Sequence, residues 1–229
     1  MEILVKILLF VHVVAGFSSL VLFWIPAFTK KGGRTHNITG RWYVRGMWTV
    51  LITAALLSIK NFIMGNTEIA FLLGFLTILT MNPLWFGDTI LKHKKGLSPT
   101  ARKQYFYQNV VRFVASVGLT IYGVTVGVQN GGTLMIIFGI IGMSNVGLVI
   151  KLFKNTYQSQ PWIMEHLHGM IVSGIAAHTA FLAFGGRSLL GELLTGQWMI
   201  IPWVAPTVIG LITIKLLKRK YARKPKLTV

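Results

Sequence analysis

Apolar residues in this chain come in runs of about 20, the length that crosses a bilayer core, separated by short stretches rich in Lys, Arg, Gly and Asn. The runs predict seven transmembrane helices, at 3–27, 43–64, 68–91, 108–128, 133–152, 161–183 and 198–217. Every connection is short, so the expected fold is all-α: one polytopic membrane helical bundle over residues 1–229. The first run reads as a membrane helix rather than a cleavable signal peptide, being too long and lacking a small-residue cleavage site before Phe28. Gly/Pro-broken helices do not recur at matching places in the two halves, which counts against an inverted-repeat transporter.

Charge adds orientation. Only 12% of the residues are charged, about half the fraction usual in soluble domains, yet the net charge is +18. Lys30, Lys31, Arg34, Arg41 and Arg45 follow the first run, and Lys92, Lys94, Lys95, Arg102 and Lys103 follow the third. Lys151 and Lys154 follow the fifth, and a basic tail from Lys215 to Lys226 closes the chain. The opposite loops carry only Lys6, Lys60 and Arg187. This is the positive-inside pattern. It predicts an outside N-terminus, a cytoplasmic C-terminus and a multi-pass protein of a bacterial cytoplasmic (inner) membrane. It also removes nucleic acid as the reason for the charge. The tail is expected to rest on anionic headgroups, each basic residue adding about 1 kcal/mol.

The same topology places the sequon Asn37-Ile38-Thr39 on the cytoplasmic side, where it is not used. Residues 185–196 are expected to lie on the outer surface as an amphipathic segment. With no cysteine in the chain, disulfides, thiolate metal sites and thiol catalysis are excluded.

Ionisable groups inside a membrane are costly and so point to function. Here they sort into two layers. The outer layer holds His12 on the first helix and His178 on the sixth, whose depths differ by roughly 6 Å at 1.5 Å per residue. They are candidates for a facing pair. The inner layer holds His36, Arg41, Tyr43 and Arg45 around the start of the second helix, Asp88 and His93 at the end of the third, Arg112 in the fourth, and Glu165, His166 and His168 opening the sixth.

Arg112 is expected to pair with a carboxylate, Asp88 or Glu165, and Asp88 with Lys92 as an i, i+4 pair. Ser144 and Asn145 are expected to bond between helices, and Asn82-Pro83 to kink the third. His168 and His178 share one face about 15 Å apart, while His166 points to roughly the opposite side. Two imidazoles facing each other across helices can hold the iron of haem b. His12 with His178 would make an outer site; His166 or His168 with His36 or His93 would make an inner one. Lys215 lies too near the inner end to be a retinal-type Schiff-base lysine.

At the start of the second helix, His36-x-x-x-Gly40-Arg41-x-Tyr43 followed by Met47 resembles the signature of a large bacterial family of uncharacterised predicted membrane proteins. A second family pattern, His-x-x-x-Met-x-x-Ser, matches His166, Met170 and Ser173, and His178-Thr179-Ala180-Phe181 resembles members from gliding and marine bacteria. The likeness covers about half the chain, mainly 36–95 and 161–183. It implies a family-level site of His36, Arg41, Tyr43 and His166, which leaves His168 outside it. Family members are usually shorter, which makes the first and last helices additions.

Three functions remain open at this stage. One is a b-type haem-binding protein that transfers electrons through transmembrane histidines. Another is a structural or assembly subunit of a larger membrane complex, with partner membrane subunits or further copies of itself. The third is a small proton-coupled transporter using the inner-leaflet Asp, Arg, Glu and His residues.

Overall fold

The computed structural model describes residues 2–128, 132–158, 160–185 and 201–222. The expected amphipathic segment at 185–196 and the last basic residues of the tail fall almost wholly outside them. Among the described residues the chain forms α1 (Glu2–Phe28), α2 (Arg34–Ile63), α3 (Thr67–Thr89, extended by a 3-10 turn Ile90–Lys92), α4 (Pro99–Val126), α5 (Gly132–Met143), α6 (Val146–Phe153), α7 (Trp162–Ala180, then a π turn Phe181–Gly185) and α8 (Ile201–Ala222). Taking α5 with α6 as one span, seven helical segments are long and apolar enough to cross a membrane.

Two helices start well before their apolar runs. α4 begins nine residues before the predicted 108 because Ser98 caps it, its Oγ accepting from the Ala101 N–H at 3.2 Å, with Pro99 in the first turn. A Ser cap followed by Pro is a strong start signal that hydropathy does not weigh. α2 likewise begins at Arg34, so His36, Arg41 and Tyr43 are all helical. The fifth span is interrupted at Ser144 and Asn145, where the Asn145 side-chain amide donates to both the backbone and side-chain oxygens of Asn109 on α4, each at 3.0 Å. Asn145 thus makes its expected interhelical bond. Ser144 does not: it donates back to Ile141 of its own helix. α3 runs on through Pro83.

α3 packs against α2, α4 and α7, and α7 packs against α1, α3 and α8. These two helices are therefore the inner pair. Their crossing is set by Gly87 and Gly169: a Cβ on Gly169 would lie 2.6 Å from both the Gly87 Cα and the Pro83 carbonyl oxygen. Helices approach backbone to backbone where side chains are absent. Outward positions such as Phe10, Phe17, Ile52, Ile59, Val114, Ile121, Ile140 and Leu211 are exposed and apolar, the reverse of a soluble bundle's polar outer face. One end of the bundle collects the basic residues: Lys94 lies over the Trp162 ring at 4.7 Å there, joining the end of α3 to the start of α7.

Candidate functional site

At this basic end α2 and α7 run in the same direction, and each presents a histidine from one of its first two turns. The rings of His36 and His166 lie edge to face, with centroids 6.5 Å apart and planes at 68°. Each is oriented by a backbone carbonyl. His36 Nδ1 lies 3.0 Å from the Pro26 oxygen in the last turn of α1, and His166 Nδ1 lies 2.7 Å from the Gly87 oxygen of α3. A carbonyl oxygen only accepts, so both Nδ1 atoms carry the proton and both Nε2 atoms keep a lone pair. Both carbonyls come from helix ends, where the intrahelical donor is lost.

Lys31 also donates to the Pro26 and Ala27 oxygens at 2.7 Å each. Partial burial there, and then the nearby Lys220, hold its ammonium below the ordinary lysine range. Lys31 and Asp88 are both within electrostatic range of His166.

Seven residues further along each helix lies a second cross-link. The Tyr43 hydroxyl meets Ser173 Oγ at 2.8 Å, and Ser173 donates to the Met170 oxygen at 2.9 Å, so Tyr43 is the donor in the first bond. Tyr43 and Ser173 are fully buried, beside Phe23 of α1, whose ring centroid is 5.6 Å from that of Tyr43. The heptad spacing 36 to 43 and 166 to 173 thus yields two polar rungs between parallel helices, about 10.5 Å apart.

The rungs predict an ordering. Tyr43→Phe should cost about 1 kcal/mol, since Ser173 keeps its bond to Met170. Ser173→Ala strands a buried phenol and should cost about 1–3 kcal/mol. Thermal unfolding of the two variants in detergent measures the difference, and the reverse order would refute the donor assignment.

The other candidate residues are placed elsewhere. His12 and His178 are not brought together. His12 Nδ1 is bonded to Thr53 of α2 at 2.8 Å. His178 donates from Nδ1 to the Gly174 oxygen at 2.7 Å and accepts at Nε2 from the Trp24 indole at 3.1 Å, so both its nitrogens are used. Trp24 lies twelve residues past His12 on α1, about 18 Å along the axis. The Phe23 ring fits against Gly174, which has no side chain to exclude it, and that contact fixes the register of α1 on α7.

His168 is exposed and within electrostatic range of Lys218, Glu165 and Arg112. Arg41 is exposed and bonded to the Asn37 oxygen of its own helix, so it does not join His36 and His166.

Neither ion pair expected from the sequence forms. Among the described residues the sole salt bridge is Lys6–Glu2 at the opposite end. Glu165 is occupied by the Tyr157 hydroxyl at 2.9 Å and the Gln160 N–H at 3.0 Å. Asp88 pairs with neither Arg112 nor Lys92, and Arg112 Nε is buried without a partner. His93 is held at both nitrogens, by the Thr89 carbonyl and by Ser98 Oγ.

Among the described residues no group of three or more His, Cys, Asp or Glu could hold a bare metal ion. What the site offers is two adjacent imidazoles, each held at Nδ1 by a backbone carbonyl. Comparison of the chain with known protein families, curated proteins and solved structures found no match.

Proposed function

We propose that this chain is a multi-pass protein of a cytoplasmic membrane, N-terminus outside and C-terminus inside, that carries electrons on one haem b ligated by His36 and His166. The juxtaposition of the two rings carries this reading. Imidazole nitrogens bind such metals at about 2.0–2.1 Å, so two rings holding one iron would have their centres roughly 6 Å apart. The observed 6.5 Å separation, with the rings edge to face, supports the reading. Orientation of a ligating imidazole by a carbonyl at its other nitrogen is the usual support for ligation. Two protein ligands suffice for haem, whose macrocycle supplies the other four; a bare ion would need the third side chain that is absent here among the described residues.

Held by His36 and His166, haem would supply one-electron chemistry between ferric and ferrous iron. The chain's own contribution is to fix both tautomers through Pro26 and Gly87, to close the deeper side with the Tyr43–Ser173 rung, and to keep Lys31 nearby as a cation. The excess of Lys and Arg at this end supports a cytoplasmic position for it.

The test is the absorbance of protein expressed with ample haem and purified in detergent, oxidised and then reduced with dithionite. A Soret band that shifts on reduction, with sharpened bands in the green, is the expected result. A fully folded but colourless preparation would exclude haem. It would leave the proton-coupled carrier, which the closeness of Asp88 and Lys31 to the same histidine favours.

A further inference from the structure

Away from the histidine pair, α4 and α6 form an open cleft of about 290 Å³ at the basic end. Its polar wall is Arg102, Lys103 and Asn155, and its apolar wall is Phe106, Leu152 and Phe153. Arg102 sits in the first turn of α4, with Nε and Nη2 both buried and both without a hydrogen-bond partner. No carboxylate among the described residues pairs with it.

Buried donors left unmade cost free energy, more so when charged. The Nε–Nη2 edge of a guanidinium is a two-pronged fork matched to two oxygens of one anion, a phosphate above all. Lys103 supplies a second cation, and the positive end of α4 favours an anion there. The apolar wall leads outward: Phe153 is 73% exposed, so a chain attached to that anion could lie along the lipid-facing surface.

We propose that this cleft binds a phosphate group, with Arg102 as the forked donor and Lys103 as the second cation, and that in the bilayer the group belongs to an anionic phospholipid. The assignment is independent of haem. Basic pockets between membrane helices on the cytoplasmic side are where such headgroups dock.

Native mass spectrometry of the full chain in non-ionic detergent provides the test, titrated with phosphatidylglycerol or with a galactosyl diacylglycerol of the same acyl chains. Phosphatidylglycerol should be retained at least about tenfold more tightly, a difference of about 1.4 kcal/mol. Arg102→Gln should remove that preference. Lys151→Gln, which loses the same charge outside the cleft, should keep it. Arg102→Lys retains charge without the fork and should fall between; it also serves if the Gln variant fails to fold.

Inorganic phosphate at millimolar concentration distinguishes the sources. If it displaces the lipid, the site reads a bare phosphate group and a soluble phosphoester can fill it; if it does not, the lipid is the ligand. Equal retention of the two lipids would overturn the proposal, as would an equal loss in the Lys151 and Arg102 variants.

Discussion

Replacing His166 with alanine is expected to leave a folded bundle that no longer retains haem. His166 supplies one of the two imidazoles that the proposed ligation needs. Loss of a partner that merely orients a ligand costs about 10–100-fold in metal affinity. Loss of the ligand itself should exceed that, and the dithionite-minus-oxidised difference spectrum should fall to the baseline. His36→Ala should do the same.

The change is not silent for stability. It removes the 2.7 Å bond to the Gly87 oxygen, at a cost of about 1–3 kcal/mol, so unfolding in detergent must be followed alongside absorbance. His12→Ala and His168→Ala are the controls. His12 is bonded to Thr53 on another part of α2, and His168 is exposed and outside the pair, so neither should change the spectrum. A His166 variant that keeps a wild-type spectrum would end the proposed ligation, whatever its stability.

The spans were legible because apolar composition decides them; the helix starts were less so. Residues 34–42 and 99–107 are too polar to belong to a hydrophobic run, yet they are helical, the second stretch nucleated by Ser98 and Pro99. The residue types of the site were legible too: His36, Tyr43 and His166 stood out as polar groups in one layer.

His36 with His166 was one of four inner pairings the sequence left open, and the choice among them was not legible for a physical reason. The atoms that orient both rings are backbone oxygens, of Pro26 and Gly87, and any residue could supply a carbonyl. The expected ion pairs failed because carboxylates have other donors within reach: Glu165 takes a neighbouring phenol and a backbone N–H from the loop before α7. The outer histidine pair failed because depth was counted from helix ends, whereas register follows packing. Gly174 admits Phe23, Trp24 comes with it, and the indole reaches His178 before His12 can.

The same logic of packing predicts the largest effect on stability. Gly169→Val should separate α3 from α7 and weaken the haem site from a distance. The new Cβ would lie 2.6 Å from the Gly87 Cα and 2.6 Å from the Pro83 oxygen. Both are main-chain atoms of the most enclosed helix, so no rotamer change relieves the contact. Overpacking a core usually costs about 1–3 kcal/mol; here the cost should reach about 3 kcal/mol, lowering the unfolding midpoint by roughly 6–12 °C for a chain of this size.

Gly210→Ala is the contrast. Its added carbon meets only the Ile175 and Ile171 side chains, which can turn, so it should cost less than half as much. The backbone that Gly169→Val displaces carries the carbonyl that holds His166. That variant should therefore also lose haem more readily than its stability alone explains, while Gly210→Ala should not. Equal unfolding midpoints for the two variants would show that the Gly87–Gly169 contact does not hold the inner helices together.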